Sequence, residues 1–211
     1  MTAFVTGGTG FVGSAIIRRL LTAGHGVRAL VRPGSDTRNL AGLPVEITAG
    51  DLGDAGALKR ALTGCECLFH AAADYRLWVP EPAAMYGSNV EGTRNIMRAA
   101  LASGVERVVY TSSVATLRPP SAGGESSESD GAEEGSVIGH YKRSKHRAEA
   151  EVRRLVREQG LPAIIVNPST PVGPRDIKPT PTGRVILNAI TGRMPAYVDT
   201  GLNLVHVDDV V

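Results

Sequence analysis

A glycine-rich run directly after the first apolar segment constrains the fold more than any other feature of the sequence. Gly7, Gly10 and Gly13 recur every three residues between an apolar stretch and an amphipathic one. Such glycines permit a tight turn, let a pyrophosphate approach the backbone, and allow a helix to pack closely on a strand. The helix that follows offers N–H groups and its positive dipole end to an anion. The run therefore predicts a strand, a phosphate-binding loop and a helix. The other residues of the run expected to contact a bound dinucleotide are Thr9, Phe11 and Val12.

The rest of the chain alternates short apolar runs with amphipathic helical patterns. The apolar runs predict strands at residues 3–5, 27–31, 45–48, 67–70, 107–110 and 163–166. The patterns between them predict helices at residues 11–23, 55–62, 83–103 and 141–159. Strands separated by helices of this length are typical of parallel β-α-β units with both sheet faces covered. We therefore expect an α/β protein with a doubly wound parallel sheet, the Rossmann fold, built with right-handed crossovers.

Two stretches interrupt this alternation. Residues 118–139 are rich in Gly, Ser and Pro and contain five acids, so we expect a mobile loop over the edge of the sheet. Residues 168–182 contain five prolines and are expected to be irregular. The pattern predicts a dinucleotide-binding domain at 1–168 and the start of a substrate-binding region at 169–211. Because the last residues look like a strand end and the start of a helix, we expect a truncated chain.

Composition argues against several classes of function. Lys and Arg number 23 and Asp and Glu 21, and aromatic residues make up only 4%, which disfavours nucleic-acid binding by charge or by base stacking. Cys65 and Cys67 are too few for a disulfide scaffold or a zinc site, and the five histidines lack metal-ligand spacing. No apolar stretch is long enough to span a bilayer, and the N-terminus leaves no room for a signal peptide. We expect a cytoplasmic protein that binds a small molecule and no metal.

The end of the second predicted strand bears on the choice of cofactor. An NAD-selective site usually has an Asp or Glu there, which accepts a hydrogen bond from the ribose 2′-OH. This chain has Arg32 instead, and no acid occurs before Asp36. Arg32, aided by Arg38, can pair with a 2′-phosphate, so the expected cofactor is NADP, with NAD as the alternative. The other interpretation of Arg32 is a solvated surface arginine.

Further cofactor contacts are expected at the ends of the third and fourth strands. Asp51 and Leu52 are placed to contact adenine, although Asp51 could also cap a helix. Small residues after the fourth strand would let a dinucleotide lie close, and these are Ala71, Ala72 and Ala73.

Tyr141 and Lys145 lie four residues apart and therefore on one face of a predicted helix. Ala148, Val152 and Leu155 continue that face, which indicates that it points toward the sheet. A tyrosine with a pKa of about 10 is a poor acid or base at neutral pH. A neighbouring ammonium favours the phenolate, so we expect Lys145 to lower the pKa of Tyr141 and make it a general acid–base catalyst.

Two further polar positions accompany this pair. The fifth strand ends in serines, and a serine hydroxyl there can bind a substrate hydroxyl or carbonyl. Ser113 is the preferred candidate and Ser112 the alternative, while an ordinary serine-rich turn is the third interpretation. Asn89 lies in the predicted helix 83–103 and needs a buried partner. It either supports a relay to Lys145 or satisfies backbone groups.

Together, these segments resemble the extended short-chain dehydrogenases/reductases of the NAD-dependent epimerase/dehydratase family, over the whole chain. Closer in, residues 73–78, 138–145, 167–171 and 177–184 are similar to hopanoid-associated sugar epimerases, which are akin to dihydroflavonol 4-reductases and nucleotide-sugar epimerases. The resemblance implies a tightly bound NAD(P), a homodimer, and a smaller C-terminal substrate domain that this chain largely lacks. It also implies a catalytic set of Ser113, Tyr141 and Lys145, and cofactor contacts at Tyr141, Lys145 and Pro168.

Three functions remain open at this point. An epimerase would use Tyr141 to deprotonate a sugar hydroxyl while hydride passes to the nicotinamide, and would then return the hydride to the other face. A reductase would run in one direction, with Tyr141 donating a proton to a carbonyl, and it agrees better with Arg32. A non-catalytic dinucleotide sensor or scaffold is disfavoured because both Tyr141 and Lys145 are present.

Overall fold

A six-stranded parallel sheet organises the computed structural model, which describes residues 1–120 and 124–211. The strands are β1 (Thr2–Thr6), β2 (Gly26–Val31), β3 (Glu46–Ala49), β4 (Cys67–His70), β5 (Arg107–Thr111) and β6 (Ala163–Val166). They lie in the order β3-β2-β1-β4-β5-β6, and all five neighbouring pairs are parallel. The strand order reverses between β1 and β4, which is where such sheets bind ligands. The predicted doubly wound sheet is therefore confirmed.

Helices cover both faces of this sheet. The helices up to the end of this sheet are α1 (Phe11–Thr22), α2 (Ala55–Leu62), α3 (Pro82–Tyr86), α4 (Gly92–Ala102) and α5 (His140–Gln159). A further helix, α6 (Pro181–Ile190), follows the sheet and buries none of its residues. Side chains alternate along β1, so that Phe4 belongs to the core beneath α2, α4 and α5, whereas Val5 belongs to the core beneath α1. Ile17 of α1 and Val152 of α5 are both fully buried, one in each core. This double layer accounts for the apolar character of strands that face helices on both sides.

The predicted helix at 83–103 is confirmed in its extent, but it is not α-helical throughout. A π-helical turn, Gly87–Glu91, joins α3 to α4. Gly92 then begins α4 so close to Leu52 that an added Cβ would lie 2.9 Å from the Leu52 Cβ. The wider turn places Asn89 inside the protein, and π turns of this kind are frequent at functional sites.

The segment after β6 is more regular than its prolines suggest. β7 (Thr170–Val172) pairs in parallel with β8 (Leu204–His206) to form a separate two-stranded sheet. Pro181 occupies the first turn of α6, where a missing N–H costs nothing, and the Thr180 side chain caps that turn. The irregular segment predicted at 168–182 was therefore wrong in part.

The acidic stretch at 118–139 is described except for residues 121–123, so the expected mobility falls partly outside the described residues. Leu117 forms an antiparallel bridge with Gly131, and Val137 is buried. An ion pair between Glu134 and Arg147 attaches the stretch to α5. Within the described residues, none of the helices is both long and apolar enough to cross a membrane.

Candidate functional site

The glycine run forms a tight loop between β1 and α1, pressed against the chain that leaves β4. Gly7 has a φ of +73°, and a Cβ there would lie 2.7 Å from the backbone nitrogen of Ala72. A Cβ on Gly13 would lie 2.1 Å from the carbonyl oxygen of Gly7. The N–H of Gly10 donates to that same oxygen over 2.9 Å. Only glycine fits the first and third positions, as predicted, because backbone occupies the space of a side chain.

The loop suits the phosphates of a dinucleotide. α1 has twelve residues and begins after Gly10, which has no side chain with which to cap the first turn. That turn contains no acid, so its N–H groups and dipole favour an anion. Thr9 is held by Asn39, whose Nδ2 donates to the Thr9 carbonyl over 3.2 Å. Phe11 is buried beside Val207, and the partly buried Val12 packs with it, so these two expected contacts support the loop from beneath.

Ala71, Ala72 and Ala73 follow β4 and are partly buried. The N–H of Ala71 donates to the Thr6 carbonyl over 3.3 Å, and the N–H of Ala72 donates to the Thr6 hydroxyl over 3.3 Å. Their backbone therefore runs alongside the glycine loop with methyl groups as its only side chains. The small side chains leave the space beside the glycine loop open to a dinucleotide.

Arg32 is exposed at the end of β2, at the edge of this cleft. The Arg76 guanidinium, with a smaller contribution from Arg32, holds the pKa of Asp74 below its ordinary value. Arg38 differs from the expectation, because its guanidinium pairs with Asp36 at 2.6 Å. Arg32 is thus the candidate for a 2′-phosphate, while Arg38 already neutralises an acid.

Asp51 and Leu52 lie in different environments. Asp51 is exposed, and its Oδ1 accepts from the N–H of Gly53 over 2.8 Å. The cap of α2 is Asp54, which accepts from Ala57, so the helix-capping interpretation of Asp51 was wrong. The Leu52 side chain is buried in the core, and the Asp51 side chain is the one that is accessible to a ligand.

Asn89 contacts backbone groups, which favours one of its two interpretations. Its Oδ1 accepts from the N–H of Asp74 over 2.7 Å, and its Nδ2 donates to the Asp74 carbonyl over 2.8 Å. Nδ2 also donates to Ser144 Oγ over 2.8 Å. Asn89 therefore fastens the chain after β4 to α5 and makes no hydrogen bond to Lys145 within the described structure.

Tyr141 lies in the first turn of α5 beside the serine turn that follows β5. Burial raises the pKa of Tyr141, and a hydrogen bond with Ser113 offsets part of that rise. The Ser113 hydroxyl also accepts from the N–H of Ala115 over 3.1 Å. Ser112, the alternative, donates its hydroxyl proton to Glu149 over 2.5 Å and is buried. The geometry therefore favours Ser113 over Ser112 as the serine that meets a substrate.

Lys145 points toward β5 and is 3% exposed. Its Nζ donates to the hydroxyl of Tyr110 over 3.1 Å and to the carbonyl of Thr111 over 2.9 Å. Burial lowers the pKa of Lys145 to about 8, and the charge of Glu149 opposes that effect. The expected lowering of the Tyr141 pKa by Lys145 is not found, because the ammonium is directed to β5 and burial dominates at Tyr141. Tyr141 is therefore a neutral phenol at neutral pH.

Sequence reasoning missed a chain of buried polar side chains beneath these residues. His70 lies 2.6 Å from the Thr6 hydroxyl through Nδ1 and 2.9 Å from the Thr93 hydroxyl through Nε2. Its ring stacks on Tyr110 with centroids 5.6 Å apart. Burial, with help from the charge of Lys145, lowers the pKa of His70 to about 3, so it is neutral. The available signal in the sequence was a histidine, His70, at the end of an apolar strand.

Pro168 links β6 to the same turn. Its carbonyl accepts from the N–H of Val114 over 3.1 Å. The ends of β1, β4, β5 and β6 therefore meet at one edge of the sheet, with the glycine loop at one side and Tyr141 at the other. The phenol of Tyr141, the hydroxyl of Ser113 and the buried ammonium of Lys145 at such an edge can together move a proton at a substrate oxygen.

The chain matches the model of the NAD-dependent epimerase/dehydratase family over residues 3–211. It is 52% identical to a protein of Synechocystis that bears the name dihydroflavonol 4-reductase. The match extends over 207 residues, which are 98% of this chain and 60% of that protein. It is 40% identical to sterol demethylase protein B of Methylococcus capsulatus, over all of this chain and 64% of the relative.

A solved structure shares the fold closely. It is a dTDP-glucose 4,6-dehydratase of Streptomyces venezuelae determined with NAD bound, with a TM-score of 0.87 and 28% identity over 99% of this chain and 69% of that one. The chain thus spans about three fifths of the length of the relatives named above. The match over residues 3–211, together with these likenesses, shows that the chain belongs to the NAD-dependent epimerase/dehydratase family.

Proposed function

We propose that this chain forms the cofactor-binding part of an NADPH-dependent reductase that acts on a carbonyl group of a small molecule. The observation that carries the proposal is Tyr141, which is held as a neutral phenol beside the Ser113 hydroxyl at the carboxyl end of β5. A phenol that is protonated at neutral pH has a proton to give, and the oxyanion formed when a carbonyl accepts hydride is a stronger base than a phenolate, so it can take that proton. The name of the Synechocystis relative supports a ketone reductase.

In this proposal Ser113 and Tyr141 both donate hydrogen bonds to the substrate carbonyl oxygen, which polarises the carbonyl and fixes its position. A nicotinamide held by these residues would supply the hydride that the carbonyl carbon accepts. Tyr141 then gives its proton to the oxygen, which becomes a hydroxyl. Lys145 is mostly protonated near neutral pH, so it places a positive charge beneath the site, at the end of β5.

We propose NADP rather than NAD as the cofactor because Arg32 is exposed at the end of β2, where a 2′-phosphate would lie. The cofactor contacts proposed are those at the glycine loop, the alanines after β4, Asp51 and Leu52, with Tyr141, Lys145 and Pro168 on the opposite side. We also propose that residues 1–168 bind the cofactor, that residues 169–211 begin the substrate region, and that the protein is a homodimer.

A second candidate is an epimerase of nucleotide sugars, of the hopanoid-associated kind that the sequence resembles. The family match and the similarity to a dTDP-glucose 4,6-dehydratase support it. Tyr141 would then act first as a base, for which its raised pKa is less suited. The reductase therefore remains the first candidate.

One assay separates the candidates. The full-length protein is incubated with NADPH or NADH and a panel of flavonoid-like ketones and nucleotide sugars, while cofactor absorbance and product stereochemistry are followed. A reductase consumes NADPH in proportion to the ketone, whereas an epimerase converts a sugar without net cofactor loss. Stabilisation by the cofactor with neither reaction would indicate a non-catalytic dinucleotide sensor and overturn the proposal.

A further inference from the structure

Glu149 is a buried carboxylate that takes no part in the proposed reaction, yet it contacts three of the elements that carry the site. It lies one turn after Lys145 on α5 and is 5% exposed. We propose that Glu149 is a positioning residue, whose carboxylate fastens the ends of β5 and β6 to α5 and so keeps the Ser113 hydroxyl beside Tyr141. This inference rests on the proposed function.

The contacts of Glu149 come from separate parts of the chain. Its Oε2 accepts from the hydroxyl of Ser112 over 2.5 Å, at the end of β5, and from the hydroxyl of Thr116 over 2.8 Å. The same oxygen accepts from Nδ2 of Asn167 over 3.0 Å, directly after β6. Oε1 accepts from Nε of Arg153 over 2.8 Å, within α5. Four donors thus converge on one carboxylate.

Two of these donors also contact the backbone of Ser113. The Ser113 carbonyl accepts from Asn167 Nδ2 over 3.2 Å, and the Thr116 hydroxyl, whose single proton goes to Glu149, lies 2.8 Å from the same carbonyl oxygen. Loss of the Glu149 carboxylate would therefore release the two side chains that fix the turn carrying Ser113. Side-chain networks of this kind act as a unit, and a displacement near 1 Å is enough to disturb catalysis.

The carboxylate is ionised in spite of its burial. Burial alone would raise the pKa of Glu149, but hydrogen bonds from Ser112, Thr116, Arg153 and Asn167 together hold it below its ordinary value. A buried charge is costly unless hydrogen bonds satisfy it, and here every donor lies on an element of the site. An apolar residue could fill this space without fixing the turn.

The charge of Glu149 also bears on Lys145. The titratable groups that face Lys145 are His70 from β4, Tyr110 from β5 and Glu149 from α5. His70 and Tyr110 are neutral near pH 7, so Glu149 is the anion of this group. It opposes the effect of burial on the pKa of Lys145 and thereby keeps the ammonium protonated to higher pH.

The test uses two substitutions at Glu149 and a matched control on the same helix. Glu149→Ala removes both the hydrogen bonds and the charge, whereas Glu149→Gln keeps one acceptor oxygen for Ser112 and Asn167 but removes the charge. Glu151→Ala is the control, because Glu151 is 9% exposed, lies on α5 and pairs with Arg94 and Arg154 on the other side of the helix.

The expected pattern is specific to positioning. Glu149→Ala lowers kcat by about tenfold or more, with the cofactor Kd changed by less than about twofold, because the turn and not the glycine loop is displaced. Glu149→Gln keeps kcat within about threefold near pH 7. The alkaline limb of its pH–activity profile shifts to lower pH, because Lys145 loses its proton more readily without the charge of Glu149. Glu151→Ala changes neither kcat nor the pH profile.

A spectroscopic readout accompanies the kinetics. The protein is labelled with ζ-¹³C tyrosine, and the Tyr141 signal among the five tyrosines is assigned with Tyr141→Phe. Because the bond to Ser113 lowers the Tyr141 pKa, Glu149→Ala raises that pKa further, whereas Glu149→Gln and Glu151→Ala leave it in place.

Two failures are distinguishable. If Tyr141→Phe is inactive while Glu149→Ala behaves like Glu151→Ala in kinetics and titration, the positioning role is wrong and the proposed function stands. If Tyr141→Phe turns over normally, the proposed function is wrong. The tyrosine titration then still decides the structural role of Glu149, because it needs no substrate.

Discussion

The two ends of the cofactor cleft differ in the groups that form them. The glycine-loop end consists of backbone and small side chains in close contact, with Gly7, Gly13 and Ala72 too near one another for any added carbon. The tyrosine end consists of buried polar side chains, among them Lys145 and Glu149. The first end depends on the absence of volume and the second on the presence of charge and hydrogen bonds. A substitution should therefore damage one end without damaging the other.

The largest effect is expected from adding volume to the loop. Gly7→Ala places a Cβ 2.7 Å from the Ala72 nitrogen at a φ of +73°. We expect a loss of about 4 kcal/mol in the free energy of unfolding and at least about 10²-fold weaker NADPH binding.

Gly24→Ala is its control, since Gly24 has a φ of +78° and nothing within 4 Å of an added Cβ. It should cost only about 1–2 kcal/mol, with NADPH binding unchanged. Denaturant unfolding and cofactor titration measure both. Equal effects of the two substitutions would show that backbone strain, and not the contact with Ala72, explains the glycine.

The next effect tests the edge of the same end. Arg32→Glu should weaken NADPH binding about 10²-fold, because a charge-assisted bond to the 2′-phosphate is replaced by repulsion. NADH binding should change little, since that cofactor has no 2′-phosphate. Arg38→Ala should have a smaller effect because Arg38 already pairs with Asp36. Calorimetric titration that finds NADH bound more tightly by the unsubstituted protein would contradict the assignment.

The polar end predicts a dependence of stability on pH. The pKa of His70 falls from 6.5 to about 3 in the folded chain, so the unfolded chain binds a proton more readily. The contribution of neutral His70 to the free energy of unfolding is therefore fully present above pH 6.5 and is lost as the pH falls toward 3. The loss between pH 7 and pH 5 should be about 2 kcal/mol.

His70→Gln should remove this part of the acid sensitivity, and His25→Gln, at a partly exposed position, should retain it. Urea unfolding at several pH values measures the slope. An unchanged slope in His70→Gln would show that other groups control the acid sensitivity.

The smallest effect concerns the accessible side of the Glu149 network. Arg153 is 44% exposed and pairs with Glu149 at 2.8 Å within one helix turn. Arg153→Gln should cost no more than about 1 kcal/mol, because exposed pairs are screened by solvent. Thermal unfolding provides the comparison with Glu149→Ala. A similar loss of stability in Arg153→Gln and Glu149→Ala would show that the ion pair, and not the buried hydrogen bonds, stabilises the network.

The same contrast explains what the sequence could predict. Glycine spacing reflects local steric demands, so the loop, α1 and their place in a parallel sheet were predictable. The buried polar network was not, because Glu149 and Glu151 look alike in the sequence and only packing separates their roles. The π-helical turn likewise depends on Asn89 finding the backbone of Asp74. Pro181 falls in the stretch predicted to be irregular, although it begins α6.

The central claim is that Tyr141 moves the proton at the polar end while the glycine loop binds the cofactor independently. Tyr141→Phe keeps the ring and removes the hydroxyl. Its kcat in the NADPH-dependent reaction and its Kd for NADPH are the measurement. We predict a loss in kcat of at least about 10²-fold, with Kd within about twofold of the unsubstituted protein. Turnover near normal would contradict the account, as would a parallel loss of cofactor binding.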